Sequence, residues 1–435
     1  MQDYTQFHKR RQALIESVKQ HHDLSHGVIV LGGAYESEYM PFRQDSTFYY
    51  LTGINEPACV CLIWLSGETH VYVPQYPDFR SKWLVPDITP ESSPGAYHVD
   101  GIYAAGVRQG DITVSMAHDV SAYENVIRAL HDTVAADVPV CACTPDHPYA
   151  YVQQKLMLYM LARGLHQQPT YYDISPIVSR MRRKKSRDEV ARIHQAASVT
   201  IMAHEAAACA IEPGKPEHYV QAAAEYILTE CGARPAFPSI VASGHNSTIL
   251  HYTANAAEIE AGDTVVVDIG AYKDHYAADV SRTYPARGQF SKDQAHVYEA
   301  VRDTQAYIAS LLAPGYCIYN AEQPELSLYH CAQKRLQQHG YSEYFIHNIG
   351  HFLGLDVHDV GDVREPLEEG DVLTVEPGVY DADNRVGARI EDDYWIVKDG
   401  SVCLTDGLPT EQNEIERLAQ RGFSELEEAS EQHDE

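Results

Sequence analysis

Positive charge is scarce in this sequence. Its 435 residues carry 33 Lys plus Arg against 62 Asp plus Glu, a formal charge of −29. A field of that sign repels phosphates, which argues against a nucleic-acid scaffold or a binder of anionic membranes. Long apolar runs are missing too: no stretch reaches the roughly 18 uninterrupted apolar residues that span a bilayer. Residues 1–20 lack the apolar core of a secretory signal and read instead as an amphipathic helix. Paired cysteine motifs are also absent. The nine cysteines are dispersed, and the closest pairs, Cys59/Cys61 and Cys141/Cys143, lack the partners a zinc knuckle needs. An odd number without a secretory signal favours reduced thiols and a cytoplasmic location.

What remains is an ordinary globular mix, 44% hydrophobic and 22% charged, which excludes a mostly disordered, collagen-like or coiled-coil chain. Its length suggests two or three domains. From about residue 27 to 165, short apolar runs (27–33, 58–66, 70–75) alternate with helical patterns (121–132, 149–165), as in an α/β domain. Residues 167–176 read as a linker, so the expected domains are 1–170 and 171–435. A basic run follows: Arg180, Arg182, Arg183, Lys184, Lys185 and Arg187. It reads as a solvated helix end and connector, the alternative being a localisation or nucleic-acid signal.

Beyond that point the chain repeats itself. Ser186 with Glu189 forms a capping-box pattern, and Ser291 with Gln294 repeats it. The helices that follow stop at Pro213-Gly214 and Pro314-Gly315, and a second helix in each copy stops at Gly232 and Gly340. Gly262-Asp263 through Asp268 to Gly270 then matches Gly370-Asp371 through Glu376 to Gly378, at an offset of 108. Several such matches in order describe a duplicated unit of two helices and a strand hairpin. Two copies are too few for a solenoid and imply an α+β domain with pseudo-twofold symmetry.

The duplicated segments place carboxylates where they are expensive to bury. Asp268 ends an apolar run, and Asp279 lies eleven residues on, across a predicted turn near 270–274. A hairpin there brings the two face to face, unless both merely cap strand ends. Glu376 and Glu391 occupy apolar strand patterns in the second copy. Asp392 and Asp393 follow Glu391, so strand alternation has to decide which of the three points inward. Between the hairpins lie His347, His351 and His358. Four carboxylates and an imidazole suit two divalent cations, with oxygen-rich ligation pointing to manganese, cobalt or iron more than to structural zinc. Two such ions can share a hydroxide formed by lowering the pKa of bound water.

The series Asp268, Asp279, His351, Glu376, Glu391 resembles the five metal ligands of the pita-bread metallopeptidases. The stretches 243–253, 350–361, 375–380 and 389–393 look most like aminopeptidase P, the Xaa-Pro aminopeptidases, with prolidases next, and residues 40–57 resemble the N-terminal domain of that group. The resemblance implies an α/β N-terminal domain before a pita-bread catalytic domain. It implies a dinuclear-metal hydrolase that removes the N-terminal residue from peptides with proline second, through a metal-bridging hydroxide. Manganese is the expected ion, with cobalt, iron or zinc as alternatives. By the same resemblance Asp268 binds one ion, Asp279 and Glu391 bridge, and His351 and Glu376 complete the other site. Glu376 is also implied as general base. His251 lines the substrate pocket, His347 sits near the scissile bond, His358 stabilises the tetrahedral intermediate, and Arg389 supports a bridging carboxylate.

The sequence departs from that pattern in places. Phe237 stands where relatives often carry tyrosine, and the stretch between Glu376 and Glu391 is compact, as in some prolidases. Trp83 matches either a pocket wall supplied by a neighbouring subunit or a plain core residue. The acidic residues 424–435 read as a frayed, solvated helix end. The competing readings are an Xaa-Pro dipeptidase (prolidase) and a non-catalytic peptide-binding member of the fold. The expected partners are peptides with proline second and further copies of the chain in a dimer or tetramer, with no nucleic acid and no membrane.

Overall fold

The protein's structure is a computed structural model that describes residues 3–37, 41–77, 82, 84–107, 119–135, 137–144, 158–159, 162–163, 165, 171–286 and 288–420. Contacts divide the chain into two compact units, Met1–Arg182 and Arg183–Glu435. The helix read over 149–165 falls largely outside the described residues, as do Trp83 and the acidic segment 424–435.

The first unit opens with the helix Thr5–His22, which buries Phe7, Arg11, Leu14, Ile15 and Val18 as one stripe at helical spacing. Arg11 is fully buried because its guanidinium donates to the carbonyls of Leu51 (2.9 Å) and His98 (2.6 Å). Arg10 donates likewise to Tyr50 O at 3.1 Å. Tyr50 and Leu51 lie in the last turn of the helix Ser46–Thr52, whose end carbonyls have no helical partner. Strands β1 (Val28–Gly32), β2 (Val60–Trp64), β3 (Thr69–Val73), β4 (Gly101–Ala104), β5 (Val140–Ala142) and β6 (Tyr171–Asp173) form one sheet in the order β4-β3-β2-β1-β5-β6. The pairs β1–β2 and β2–β3 are antiparallel and the other three parallel, so the unit is a mixed α/β layer. After β6 the helix Ser175–Arg183 ties back to this unit: Tyr50 Oη donates to Met181 O (3.0 Å), and Arg182 donates to Thr47 Oγ1 (3.2 Å).

The basic run matches its reading as a solvated connector only in part: Arg180, Lys184 and Arg187 are exposed, but the other three are not. Arg182, Arg183 and Lys185 are only 5%, 4% and 6% exposed. Arg183 forks onto Asp371 at 2.9 and 2.7 Å and also reaches Glu365 and Pro366 O. Lys185 Nζ lies 2.9 Å from Asp359 Oδ2, both side chains being 1% exposed. A buried cation without a partner is strongly destabilising, so the run depends on acids far downstream.

The second unit contains both repeats. The first has helices Arg187–Ala210 and Glu217–Glu230, then β7 (Arg234–Pro235), β8 (Ile240–Ser243), β9 (Thr264–Ile269), β10 (Ala271–Lys273), β11 (Tyr276–Ala277) and β12 (Val280–Pro285). The second has helices Lys292–Leu311 and Leu328–His339, then β13 (Val372–Val375), β14 (Gly378–Asp381), β15 (Val386–Arg389), β16 (Asp392–Val397) and β17 (Gly400–Cys403), and closes on the helix Gln412–Ala419. Both expected capping boxes form, Ser186 with Glu189 and Ser291 with Gln294. Side chains of the long helices, among them Ala197, Ala203, Val297 and Val301, share one core with Val265, Val267 and Ile269 of β9 and Leu373 and Val375 of β13. Strand alternation therefore turns Asp268 to the opposite face.

Each long hairpin consists of two ladders with a break between them. In the first, β9 pairs with β12 and β10 with β11; Gly270 and Ala278-Asp279 form the break. In the second, β13 pairs with β16 and β14 with β15; Glu376-Pro377 and Ile390-Glu391 form it. The first turn falls on Asp274 and His275, both at positive φ (48° and 71°), as a two-residue hairpin turn of the primed type requires. At the break the backbones come very close: a Cβ on Gly270 would lie 2.0 Å from Ala278 O. The register also corrects one expectation. Asp268 pairs with Ser281 and not with Asp279, which sits just beyond the ladder.

Candidate metal centre

The breaks are where the carboxylates gather. Asp268, Asp279 and Glu391 are 8%, 5% and 2% exposed, and the Glu376 side chain is 18% exposed. The two repeats join at this point, since Glu391 N donates to Ser281 O at 3.0 Å. His351 is brought in by an irregular segment running beside β13: Glu376 N donates to Ile349 O, Thr374 N to His351 O and Leu353 N to Val372 O, each at 2.9 Å. Gly350 permits that approach, because a Cβ there would meet Thr374 O at 2.0 Å.

The His351 ring is oriented from behind. Its Nδ1 lies 3.2 Å from Phe352 O, a carbonyl that can only accept, so Nδ1 carries the proton. Nε2 then presents its lone pair 3.4 Å from Asp279 Oδ2 and 3.7 Å from Glu376 Oε1. Asp279, His351 and Glu391 each offer one ligand atom, all within 4.8 Å of one another. Asp268 Oδ1 and Asp279 Oδ1 are buried and accept no hydrogen bond from the described residues. Buried carboxylate oxygens left in that state are costly unless something positive meets them.

The electrostatics agree with the geometry. Burial, then the charges of Asp268, Asp393 and Glu376, push the Asp279 carboxyl well above the usual carboxylate range. Burial, then Asp279, Glu376 and Asp268, do the same to Glu391. Burial also raises Glu376, against the pull of His351 and Arg389. Acceptor-only carboxylates, an aimed imidazole and two orphaned buried oxygens are a donor set that fits divalent cations.

A surrounding set of hydrogen bonds holds these candidate ligands. Arg389 donates through Nη2 to Asp268 Oδ2 (2.7 Å), through Nε to Ser281 Oγ (2.8 Å) and through Nη1 to Tyr380 Oη (3.0 Å). Burial works against its charge, but Tyr380, Asp268 and Glu391 outweigh that and keep it ionised. Ser281 Oγ donates to Glu391 Oε2 at 2.7 Å. Tyr380 Oη lies 2.9 Å from His347 Nε2, and His347 Nδ1 lies 2.7 Å from Asn348 O. The direction of this chain is fixed: Arg389 donates to Tyr380, Tyr380 to Nε2, and Nδ1–H to the carbonyl. Burial, Arg389 and His251 together lower the pKa of His347 to about 3, so it stays neutral.

The remaining histidines stand at the periphery. His358 is exposed, with its ring centroid 4.2 Å from that of His351. His251 is exposed on the loop after β8, near enough for its charge to bear on His347. Phe237 packs on the break, 2.8 Å from the position a Gly270 Cβ would take. Sequence reasoning missed Ser281, Tyr380 and Arg282, and left Asp393 as one of three acids for alternation to sort. Alternation from Asp279 alone would have put Ser281 and Thr283 on its face. Tyr380 lay inside the motif 375–380, and only its hydroxyl contacts reveal it. Asp392 and Asp393, which alternation would divide between the two faces, are both buried. Asp392 takes Arg282, Gln305 and Thr405, and Asp393 Oδ2 accepts from Asp279 N at 3.2 Å.

Comparison with known proteins places this arrangement. Residues 191–398 match the model of metallopeptidase family M24, and residues 7–117 match the N-terminal domain of aminopeptidase P. The chain belongs to that metallopeptidase family, with the two-domain build of aminopeptidase P and a pita-bread catalytic domain. It is 31% identical to a Xaa-Pro aminopeptidase of Escherichia coli strain K12, over 95% of this chain and 97% of that protein. A Xaa-Pro dipeptidase of Pyrococcus furiosus is 35% identical, over 53% of this chain and 66% of that protein. Among solved structures, an E. coli aminopeptidase P variant in complex with substrate has a TM-score of 0.80 at 29% identity, covering 96% of this chain and 98% of that one.

Proposed function

We propose that the chain is a metal-dependent Xaa-Pro aminopeptidase that releases the first residue of peptides with proline second. The observation that carries this is the convergence of three buried carboxylates, Asp268, Asp279 and Glu391, with the half-buried His351 and Glu376, within a chain matched along nearly its whole length by aminopeptidase P. Match length favours this reading over the dipeptidase one, because the dipeptidase match spans only about half the chain. Asp268, Asp279, His351, Glu376 and Glu391 would hold two divalent cations, manganese before cobalt, iron or zinc. Bound there, such ions supply a water of lowered pKa and a charge that polarises the scissile carbonyl.

The chain's own residues do the rest. Glu376 is less buried than the other three carboxylates and so can take a proton at Oε and pass it on, the work of a general base. Neutral His347, held by Tyr380 and Asn348, presents a fixed ring at the scissile region. His358, stacked edgewise on His351, can donate to the oxyanion of the tetrahedral intermediate. Arg389 keeps Asp268 and, through Ser281, Glu391 in place. Proline in second position makes the scissile amide tertiary, without an N–H, so a dedicated pocket including His251 replaces ordinary backbone recognition.

The nine cysteines, six of them buried, suit a reducing cytoplasm. A homo-oligomer completes the proposal. The test is hydrolysis by EDTA-stripped protein and its restoration by manganese, on a Xaa-Pro-Xaa tripeptide and a Xaa-Pro dipeptide side by side. Restored tripeptide cleavage is expected. Cleavage of the dipeptide alone would transfer the chain to the dipeptidases, and activity indifferent to chelation would remove the metal.

A further inference from the structure

The first repeat contains a buried carboxylate that the metal centre does not use. Glu217, the first residue of the helix Glu217–Glu230, is 0% exposed, and no cation pairs with it among the described residues. Five donors surround it instead. Oε1 accepts from Ser243 N (2.8 Å), Ser243 Oγ (2.7 Å) and Asn246 Nδ2 (3.1 Å). Oε2 accepts from Tyr252 Oη (2.9 Å) and Ala257 N (2.9 Å). These donors come from both ends and the middle of a single loop, 243–257, and that loop carries His251.

Three of the five, Ser243 N, Asn246 Nδ2 and Ala257 N, can only donate, so both carboxylate oxygens are needed as acceptors and a side chain with an NH2 group cannot fill the site. The helix N-terminus adds to the preference for negative charge. A second residue pins the far end of the loop: Asn255, at φ 45° and 1% exposed, accepts from Val241 N (2.9 Å) and donates to Gln221 Oε1 (2.9 Å) and Ser239 O (2.8 Å). His251 itself is exposed, so the place of its ring follows that of the loop that carries it.

We propose that Glu217 is the positioning residue of the substrate pocket: it clamps the 243–257 loop so that His251 meets the peptide. This rests on the Xaa-Pro aminopeptidase reading, since His251 acts on substrate only there. Glutamine at 217 keeps the shape but turns an NH2 group towards donors, so one half of the clamp opens. Removing the Tyr252 hydroxyl opens it less, by one bond of five.

The experiment is a double-mutant cycle on manganese-loaded full-length protein, with wild type, Glu217→Gln, Tyr252→Phe, His251→Ala, and each clamp variant combined with His251→Ala. Glu217→Gln is expected to raise the KM for a Xaa-Pro-Xaa tripeptide about tenfold with kcat nearly unchanged, and Tyr252→Phe about threefold. On the His251→Ala background neither should add a further loss, because the clamp acts through that histidine. Manganese affinity, read by calorimetry, should not move. Losses that multiply with that of His251→Ala, or an unchanged KM, overturn the inference. Should Glu217→Gln fail to fold, the Tyr252→Phe cycle decides the matter by the same criteria. A wild type inert towards the tripeptide overturns the functional reading and this inference together, whereas an active wild type with multiplying losses overturns this inference alone.

Discussion

Replacing Ser281 with alanine removes one hydroxyl and leaves two charges short of a partner. Ser281 Oγ donates to Glu391 Oε2 at 2.7 Å and accepts from Arg389 Nε at 2.8 Å. Ser281, Arg389 and Glu391 are 0%, 4% and 2% exposed, so water cannot substitute without rearrangement. A buried charged group deprived of one hydrogen bond costs about 1–3 kcal/mol, which for the two together gives about 3 kcal/mol after partial relaxation. In a unit of this size that lowers Tm by about 6–12 °C. Glu391 also loses the contact that orients it, so manganese should bind about tenfold more weakly or worse. Differential scanning calorimetry of EDTA-treated protein reads the first quantity and titration calorimetry the second. If the variant melts with the wild type and binds manganese equally well, the hydroxyl is not what holds Glu391, and the argument for the surrounding hydrogen bonds fails.

Asp279→Ala or Glu391→Ala should abolish turnover and the manganese-dependent gain in Tm, whereas His358→Ala should chiefly lower kcat and leave manganese binding intact; steady-state kinetics with thermal melts separate the two. The metal-free protein should lose stability as pH rises. Asp279, Glu391 and Glu376 have folded-state pKa values raised above their unfolded ones. Their contribution is fully present below the unfolded value of about 4 and is lost as pH climbs through the raised values. Stripped protein should therefore melt progressively lower as the pH is raised from about 4, with manganese closing the gap and releasing protons as it binds; a flat profile would contradict the carboxylate cluster. Lys185→Met leaves Asp359 buried and deprived of its cation, which should cost about 3–5 kcal/mol in urea unfolding, while adding Asp359→Leu should recover much of it.

Local signals were readable directly in the sequence. Ser186/Glu189 and Ser291/Gln294 announced helix starts because a capping box is complete within four residues. The repeat showed through because its glycines and carboxylates recur at constant offset, and the candidate ligands followed from charge placed in apolar strands. What could not be read depends on partners distant in the chain. Arg183 meets Asp371 188 residues away, so half of a run that looked solvated is buried. Asp268 and Asp279 looked opposite each other until the register put Ser281 across from Asp268. That Asp392 and Asp393 are both buried could not be read from alternation, because each is met by a partner distant in the chain, Arg282 and the Asp279 amide.

The break shared by both hairpins has a consequence for how the protein is made. Asp268 and Asp279 come from the first repeat, and His351, Glu376 and Glu391 from the second, which emerges from the ribosome about a hundred residues later. Neither copy alone owns a complete cage. On the proposed ligand set, a cation could be held by all five residues only after both halves have been made and have docked.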